Sequence, residues 1–373
     1  MPYSEHRQTN WMELFFDLVF VYAVSNSATL IHHLTDGVLP GVTLFQYVIT
    51  FLVFISVWMT ETLYLNRYGS HGIRDNLFLL IQMFLLLYLA NAASEDWNAI
   101  FIDYSIVLIF LQLCNIVQYI FILREADSRE EKGYICTHIC SLLIFSIFLF
   151  IGIQFDAIIG SLINVVGLLL ALSFPLLNHH KILGNSVHFP YLVERFGLFV
   201  ILTFGEVIIS ILSLFQLGRV TPYSVAVFLI ISFMFLCYVV VFDQMLDVEM
   251  KTSGLRLIYT HIPLFLSLGI ITSVFHFIVE QNADPVFIVC MLYGCLVLFF
   301  VSMFINLPYL KSRYQFRKKQ FLIAGIEYLM FFCFSLSMYR QTVTVVYITT
   351  GLLLIYLLQL LIWKWKKDGH SSS

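Results

Sequence analysis

Apolar runs of membrane-spanning length recur along the whole chain, and no other feature limits its fold as tightly. A helix needs about 20 mostly apolar residues to cross a bilayer. Twelve stretches meet that need: 11–33, 41–63, 76–94, 99–123, 134–154, 157–177, 192–215, 222–243, 256–279, 284–306, 320–338 and 342–363. Inside hydrocarbon every backbone N–H and C=O must find a partner within the chain, so such runs form helices. The expectation is an all-α polytopic membrane protein of about twelve transmembrane helices. Of the 373 residues 60% are hydrophobic and only 12% charged, against roughly 25% charged in soluble domains. No polar stretch is long enough to fold as a separate soluble domain. The first run carries acids and is longer than a signal-peptide core, so it is expected to remain as a span.

Charge then sets the topology. With both termini and the even-numbered connections on one side, that side collects 18 of the 20 Lys and Arg; only Arg219 and Arg340 lie opposite. Basic connections stay in the cytoplasm, so both termini are expected to be cytoplasmic. The chain also reads as duplicated. Glu13 and Glu194 are 181 residues apart. At the same offset Phe15 meets Phe196, Val19 meets Val200, and Asp243 falls on Thr62, beside Glu61. The expected division is two six-helix pseudo-repeats, 1–181 and 182–363, followed by a short basic and polar tail, 364–373. An even number of helices per half relates the halves by an axis along the membrane normal.

Several function classes have no support. No phosphate-binding loop, dinucleotide fingerprint, zincin motif or nucleophile elbow occurs, so an enzyme is not expected. A net charge of −3 is too small to imply a nucleic-acid partner. The seven cysteines lie in apolar segments without a C-x-x-C pair. Cys136 and Cys140 share a helix face from which His138 points away, so no metal or other cofactor is expected.

The candidate site residues are charges inside the spans, where each is costly and therefore functional by default. Glu13 and Asp17 are four residues apart and share a face. They suit a cation or proton site at the cytoplasmic mouth. Glu13 also has capping-box spacing from Asn10. Glu194 and Arg195 read as a membrane-surface pair or as part of the same site. Glu206 lies 12 residues further on, about 18 Å along the helix and near mid-bilayer. Thr203, Glu206, Ser210 and Ser213 form a polar stripe beside it, and Gly197 and Gly205 suit close approach of another helix. Glu61 and Asp243, at the cytoplasmic ends of the second and eighth spans, read either as transport groups or as a charge network with Arg67, Arg74 or Arg195. Glu327 is a further acid in the eleventh span. Gln112, Asn115 and Gln118 read as interhelical hydrogen bonds. The basic run Lys311 to Lys319 suits anionic lipid.

Two of these segments carry a family likeness. Glu13-Leu-Phe-Phe-Asp17-Leu-Val-Phe-Val, and Glu194-Arg-Phe-Gly-Leu-Phe-Val with Gly205-Glu206, resemble the low-temperature-requirement A (LtrA) family of bacterial membrane proteins. Trp58, Asn66-Arg67-Tyr68, Arg74 and Gln82-Met83 are similar to its second and third helices, and Phe242-Asp243 to the end of its eighth. Gly69-Ser70-His71-Gly72 stands where the family usually has acids, and Cys237-Tyr238 where Trp is common. The resemblance implies a multi-pass protein of the bacterial cytoplasmic membrane, linked to growth in the cold. Together with twelve helices in two halves it points to a secondary transporter, coupled to protons or cations, with Asp17 and Glu206 as carriers. The partners are then membrane lipids and a small solute or ion; the oligomeric state stays open. The alternatives are a non-transporting scaffold or stress protein, whose buried acids are paired with arginines, and a two-repeat cation or proton channel. A cavity lined by Asp17 and Glu206 is the mark of the transporter, and an ion-paired core that of the scaffold.

Overall fold

The computed structural model describes residues 9–70, 72–91, 97–178, 187–218 and 220–369. Arg7, His71, Glu95, His179, His180, Lys181 and Arg219 lie outside them, as does the 181/182 boundary. Twelve long helices stand among the described residues, and no strand does. They are α1 (Trp11–Ser27), α2 (Gly41–Tyr68), α3 (Ile73–Asn91), α4 (Trp97–Glu125), α5 (Arg129–Gly152), α6 (Ala157–Leu177), α7 (Phe189–Ser210), α8 (Pro222–Val239), α9 (Leu255–Glu280), α10 (Pro285–Phe304), α11 (Lys318–Ser337) and α12 (Thr342–Gly369). Eleven are long and apolar enough to cross a membrane. The other, α7, is set apart by carrying Glu194, Arg195 and Glu206 in its 22 residues. The chain is an all-α polytopic membrane protein.

The helix starts have local causes. Ser128 accepts from Glu131 N, Asp156 from Ile158 N and Ile159 N, and Asp284 from Val286 N and Phe287 N. Thr221 and Ser224 cap one another ahead of α8, with Pro222 in the first turn. Each satisfies N–H groups that a helix start leaves without partners. Helix α7 ends earlier than its apolar run, because a 3₁₀ turn, Leu212–Leu214, closes it. Ser213 therefore leaves the stripe of Thr203, Glu206 and Ser210. Helix α8 runs on into a π-helical segment, Val240–Met245, that contains Asp243.

The helices cluster in two compact units, one of residues 1–30, 45–199 and 251–255, the other of residues 31–44, 200–250 and 256–373. In the first, α1 packs on α3, α3 on α4, α4 on α5 and α5 on α6. Polar side chains cross between neighbours: Asn26 Nδ2 donates to Ala90 O (2.5 Å), Ser141 Oγ to Ala171 O (2.7 Å) and Trp97 Nε1 to Ser161 Oγ (3.0 Å). In the second, α12 packs on α8 and α11, joined by Thr350 Oγ1 to Ala226 O (3.2 Å) and Tyr356 Oη to Ala324 O (2.6 Å). Outward faces are apolar: Ile158, Leu162 and Val166 of α6 and Leu322, Ile326 and Leu329 of α11 are exposed. Lipid covers such faces at no cost.

Glycines set the closest helix approach, though not the expected ones. A Cβ at Gly197 or Gly205 would meet nothing within 4 Å, whereas at Gly160 it would collide with the Phe101 ring and the Gly152 carbonyl, and at Gly167 with Phe148. The tight crossing is α5 on α6. Connections also meet in pairs. Asp284 N donates to Gly37 O (2.7 Å), joining the first and ninth connections. Asp247 N donates to Tyr309 O (2.8 Å) and Lys311 N to Met245 O (3.0 Å), joining the eighth and tenth. Odd meets odd and even meets even, as alternate crossing requires.

Candidate functional site

The two charged segments picked out from the sequence meet in the first unit. Helix α1 opens with Asn10 N donating to Glu13 Oε2 (3.2 Å), so Glu13 closes the helix start. Asp17 lies one turn on, and both side chains are buried. Arg195, from the first half of α7, reaches between them with no exposed surface. Its Nη2 is 3.0 Å from Asp17 Oδ1 and its Nη1 3.9 Å from Glu13 Oε2. Tyr191, one turn earlier on α7, accepts from Arg195 Nη1 (3.1 Å) and donates to Glu13 Oε2 (2.7 Å). Trp58 of α2 donates from Nε1 to Asp17 Oδ1 at 2.7 Å. The rings of Phe196 and Phe199 lie 5.0 and 4.3 Å from the Trp58 ring. Three helices are thus tied by one arginine, two carboxylates, a phenol and an indole, inside an aromatic wall.

Glu194 and Arg195 are not a surface pair. Adjacent helical residues point apart. Arg195 goes inward, and Glu194 is exposed, where its Oε1 accepts from Thr9 Oγ1 (3.1 Å). Nor is Glu206 the deepest acid. It is half-buried, Thr203 is buried, and Ser210 Oγ turns back to Val207 O (2.7 Å). Among the described residues the buried acids are Glu13, Asp17, Glu61 and Asp75.

Glu61 has neutral partners. Gln82 of α3 donates from Nε2 to Glu61 Oε2 (2.7 Å), and Gln118 of α4 donates from Nε2 to Glu61 Oε1 (3.2 Å). The second Gln82 proton goes to Gln118 Oε1 (3.3 Å). All three side chains are at most 1% exposed. Gln118 is thus an interhelical bond, whereas Asn115 Nδ2 bonds Leu111 O in its own helix (3.2 Å).

The expected charge network divides. Arg195 goes to Asp17. Arg67 lies over the Tyr134 ring (4.1 Å from its centre) in a group with Tyr68, Tyr119 and His138. Arg74 reaches Asp75 (3.7 Å) and Glu125 (3.8 Å). Asp243 is exposed in the π-helical segment. Asp75 also accepts from Ser70 N (2.7 Å) and Ser70 Oγ (2.9 Å). Asn66 and the His188 backbone bond reciprocally (2.9 and 3.0 Å), fixing the end of α2 to the start of α7. Glu327 accepts from Gln359 Nε2 (2.7 Å).

A half-open cavity of about 180 Å³ lies in the first unit, lined by Leu30, Phe45, Thr50, Trp97, Tyr104 and Asn164 among others. Neither Asp17 nor Glu206 lines it. No group of three or more His, Cys, Asp or Glu converges among the described residues. The sequence marks Glu13, Asp17, Arg195 and Glu61 as charges, and Gln118 as the interhelical hydrogen bond it proves to be; Gln82 and Trp58 enter only through a family likeness, and Tyr191 gives no such signal. The signal available for Gln82 was a lone amide in the middle of an apolar span.

A family model described as bacterial low temperature requirement A protein (LtrA) matches residues 8–363. No curated protein and no solved structure matches the chain.

Proposed function

The chain belongs to the bacterial low-temperature-requirement A family, and from that premise we propose that it is a secondary transporter of the bacterial cytoplasmic membrane, coupled to protons or another cation. The observation that carries this reading is Glu61. It is wholly buried in a membrane-spanning helix, and its two oxygens are held by the neutral amides of Gln82 and Gln118. A buried carboxylate bonded to neutral amides carries a desolvation cost. A counter-charge that arrives and leaves meets that cost in one state and not in the other, which is the elementary step of coupled transport. Two six-helix repeats with both termini in the cytoplasm suit movement of one half against the other. The basic run from Lys311 to Lys319 holds anionic lipid, and no enzymatic step is assigned.

A second reading has its own observation. Asp17 is committed to a closed ion pair with Arg195 and does not line the cavity. A non-transporting scaffold that serves growth in the cold needs no more than such a clamp. The two readings separate in vesicles. The purified chain, reconstituted with an internal pH dye and an internal sodium dye, should pass protons or sodium under an imposed gradient. Glu61→Gln puts a neutral amide where two amide nitrogens donate; a turn of one neighbouring amide restores the bonding, so the variant should fold, but its flux should fall to the level of empty vesicles. Normal flux in a monodisperse Glu61→Gln protein removes Glu61 from the mechanism. No gradient-driven flux in the native protein leaves the scaffold.

A further inference from the structure

We propose that Glu61, Gln82 and Gln118 form a binding site for one dehydrated monovalent metal cation of the sodium class. The proposal rests on the transporter reading for its purpose, but its geometry stands alone.

Three oxygen-bearing side chains from three helices meet. Glu61 comes from α2, Gln82 from α3 and Gln118 from α4, and all are at most 1% exposed. Gln82 Nε2 donates to both Glu61 and Gln118, and Gln118 Nε2 donates to Glu61. Gln82 Oε1 has no hydrogen-bond partner among the described residues. A buried acceptor without a partner costs about 1–3 kcal/mol. Turned inward, this oxygen gains a partner if a cation sits beside Glu61.

The chemistry of the set selects the ion. Hard cations take oxygen ligands, from carboxylates and amide carbonyls alike. One carboxylate with neutral amides balances a single positive charge, whereas a divalent ion would leave a net charge buried in the span at high cost. The change between states is small. A half-turn of the Gln82 and Gln118 amides exchanges nitrogen for oxygen toward Glu61. With the nitrogens inward, the amides hold the bare carboxylate, as seen here. With the oxygens inward, the same two amides ligate an ion bound to Glu61. The cluster therefore offers two hydrogen-bonded or ligated states from one set of side chains.

The test is binding of radioactive sodium to the purified full-length chain in detergent, at constant ionic strength with choline as the replacement ion. One saturable site per chain is expected, with potassium weaker and calcium not competing. Glu61→Gln should abolish the site. Gln82→Met and Gln118→Met, which keep side-chain length and lose the oxygen, should each weaken it roughly tenfold or more. No saturable sodium binding by the native protein overturns the proposal without any variant. Binding unchanged in whichever of the Met variants is monodisperse overturns the ligand set. Vesicle flux separates the two claims. Glu61-dependent proton flux with no sodium binding removes the site and keeps the transporter. Sodium binding with no flux under any gradient keeps the site and removes the transporter.

Discussion

Arg195 and Glu61 represent two ways of holding a charge inside a membrane protein. Arg195 is compensated by fixed partners, Asp17 at 3.0 Å and Glu13 at 3.9 Å, with Trp58 donating to the same Asp17 oxygen. Such a pair contributes modestly as a pair, but removing one partner leaves the other buried alone, at a cost of about 3–5 kcal/mol. Arg195→Met should therefore unfold the protein at markedly lower temperature, or stop it from accumulating as a monodisperse species. The pair of changes Arg195→Met with Asp17→Leu should recover much of the loss, because apolar residues of similar volume replace buried ion pairs at little cost. Thermal melting followed by size-exclusion chromatography in detergent reads both. A double variant no more stable than Arg195→Met alone shows that the ion pair is not the source of the loss. Trp58→Phe isolates the indole: it keeps the ring wall of Phe196 and Phe199 and removes one hydrogen bond to a charged acceptor. It should cost about 1.5–3 kcal/mol, read as a fall in melting temperature without a change in oligomeric state. An unchanged melting temperature would mean that the Asp17 carboxylate finds an equivalent donor.

At the level of the helix, most of the architecture was legible in the sequence. Each span announces itself by its own hydropathy, a local property, and caps such as Asp156, Thr221 with Ser224 and Asp284 mark starts within a residue or two. Helix α7 was misjudged at its end because its apolar run continues past Ser210 into a 3₁₀ turn, which composition does not register. The candidate site was legible only in half. Glu13, Asp17 and Arg195 are visible as charges in apolar segments, but their pairing is a contact between residues 178 apart. Arg195 could as well have belonged to Glu61 or Asp243. Glu206 looked deepest because depth was counted along its helix, whereas burial depends on which face meets a neighbour. The glycines teach the same lesson. Gly197 and Gly205 carry a small-residue signal yet border open space, while Gly152 and Gly160 face one another across α5 and α6. Gly160→Ala places its methyl against the Gly152 carbonyl, which no rotamer change relieves, and should cost about 1–3 kcal/mol. Gly197→Ala adds helix propensity in open space and should be neutral or stabilising by about 0.5–1 kcal/mol. Melting temperatures of the two variants should move in opposite directions or differ clearly in size. Equal losses would contradict the packing described for α5 and α6.

For the molecule as a whole, the membrane orientation ties the fold to the proposed transport, because under that proposal it decides from which side Glu61 is loaded. Two independent facts bear on it. With Arg195 set aside as buried in α7, the other Lys and Arg residues divide 17 to 2 between the two sides that twelve crossings define, and basic connections stay in the cytoplasm. The contacts between connections respect the same parity: Gly37 meets Asp284, and Met245 and Asp247 meet Lys311 and Tyr309. An odd error in the number of crossings between two touching connections would put partners of one hydrogen bond on opposite faces of the membrane. The seven native cysteines are replaced first, and single cysteines are then placed at Asp36, Asp284, Arg129 and Lys318, all exposed. A membrane-impermeant maleimide applied to whole cells should label the first two and reach the last two only after the membrane is opened. In that orientation Glu61 lies seven residues before the end of α2 at Tyr68, roughly 10 Å from the helix end at 1.5 Å per residue, and so nearer the cytoplasmic face. Labelling of Asp36 and Asp284 from opposite sides would break the parity and with it the twelve-crossing topology. Labelling of both pairs with sides exchanged would keep the topology, reverse the orientation, and place the carboxylate near the outer face instead.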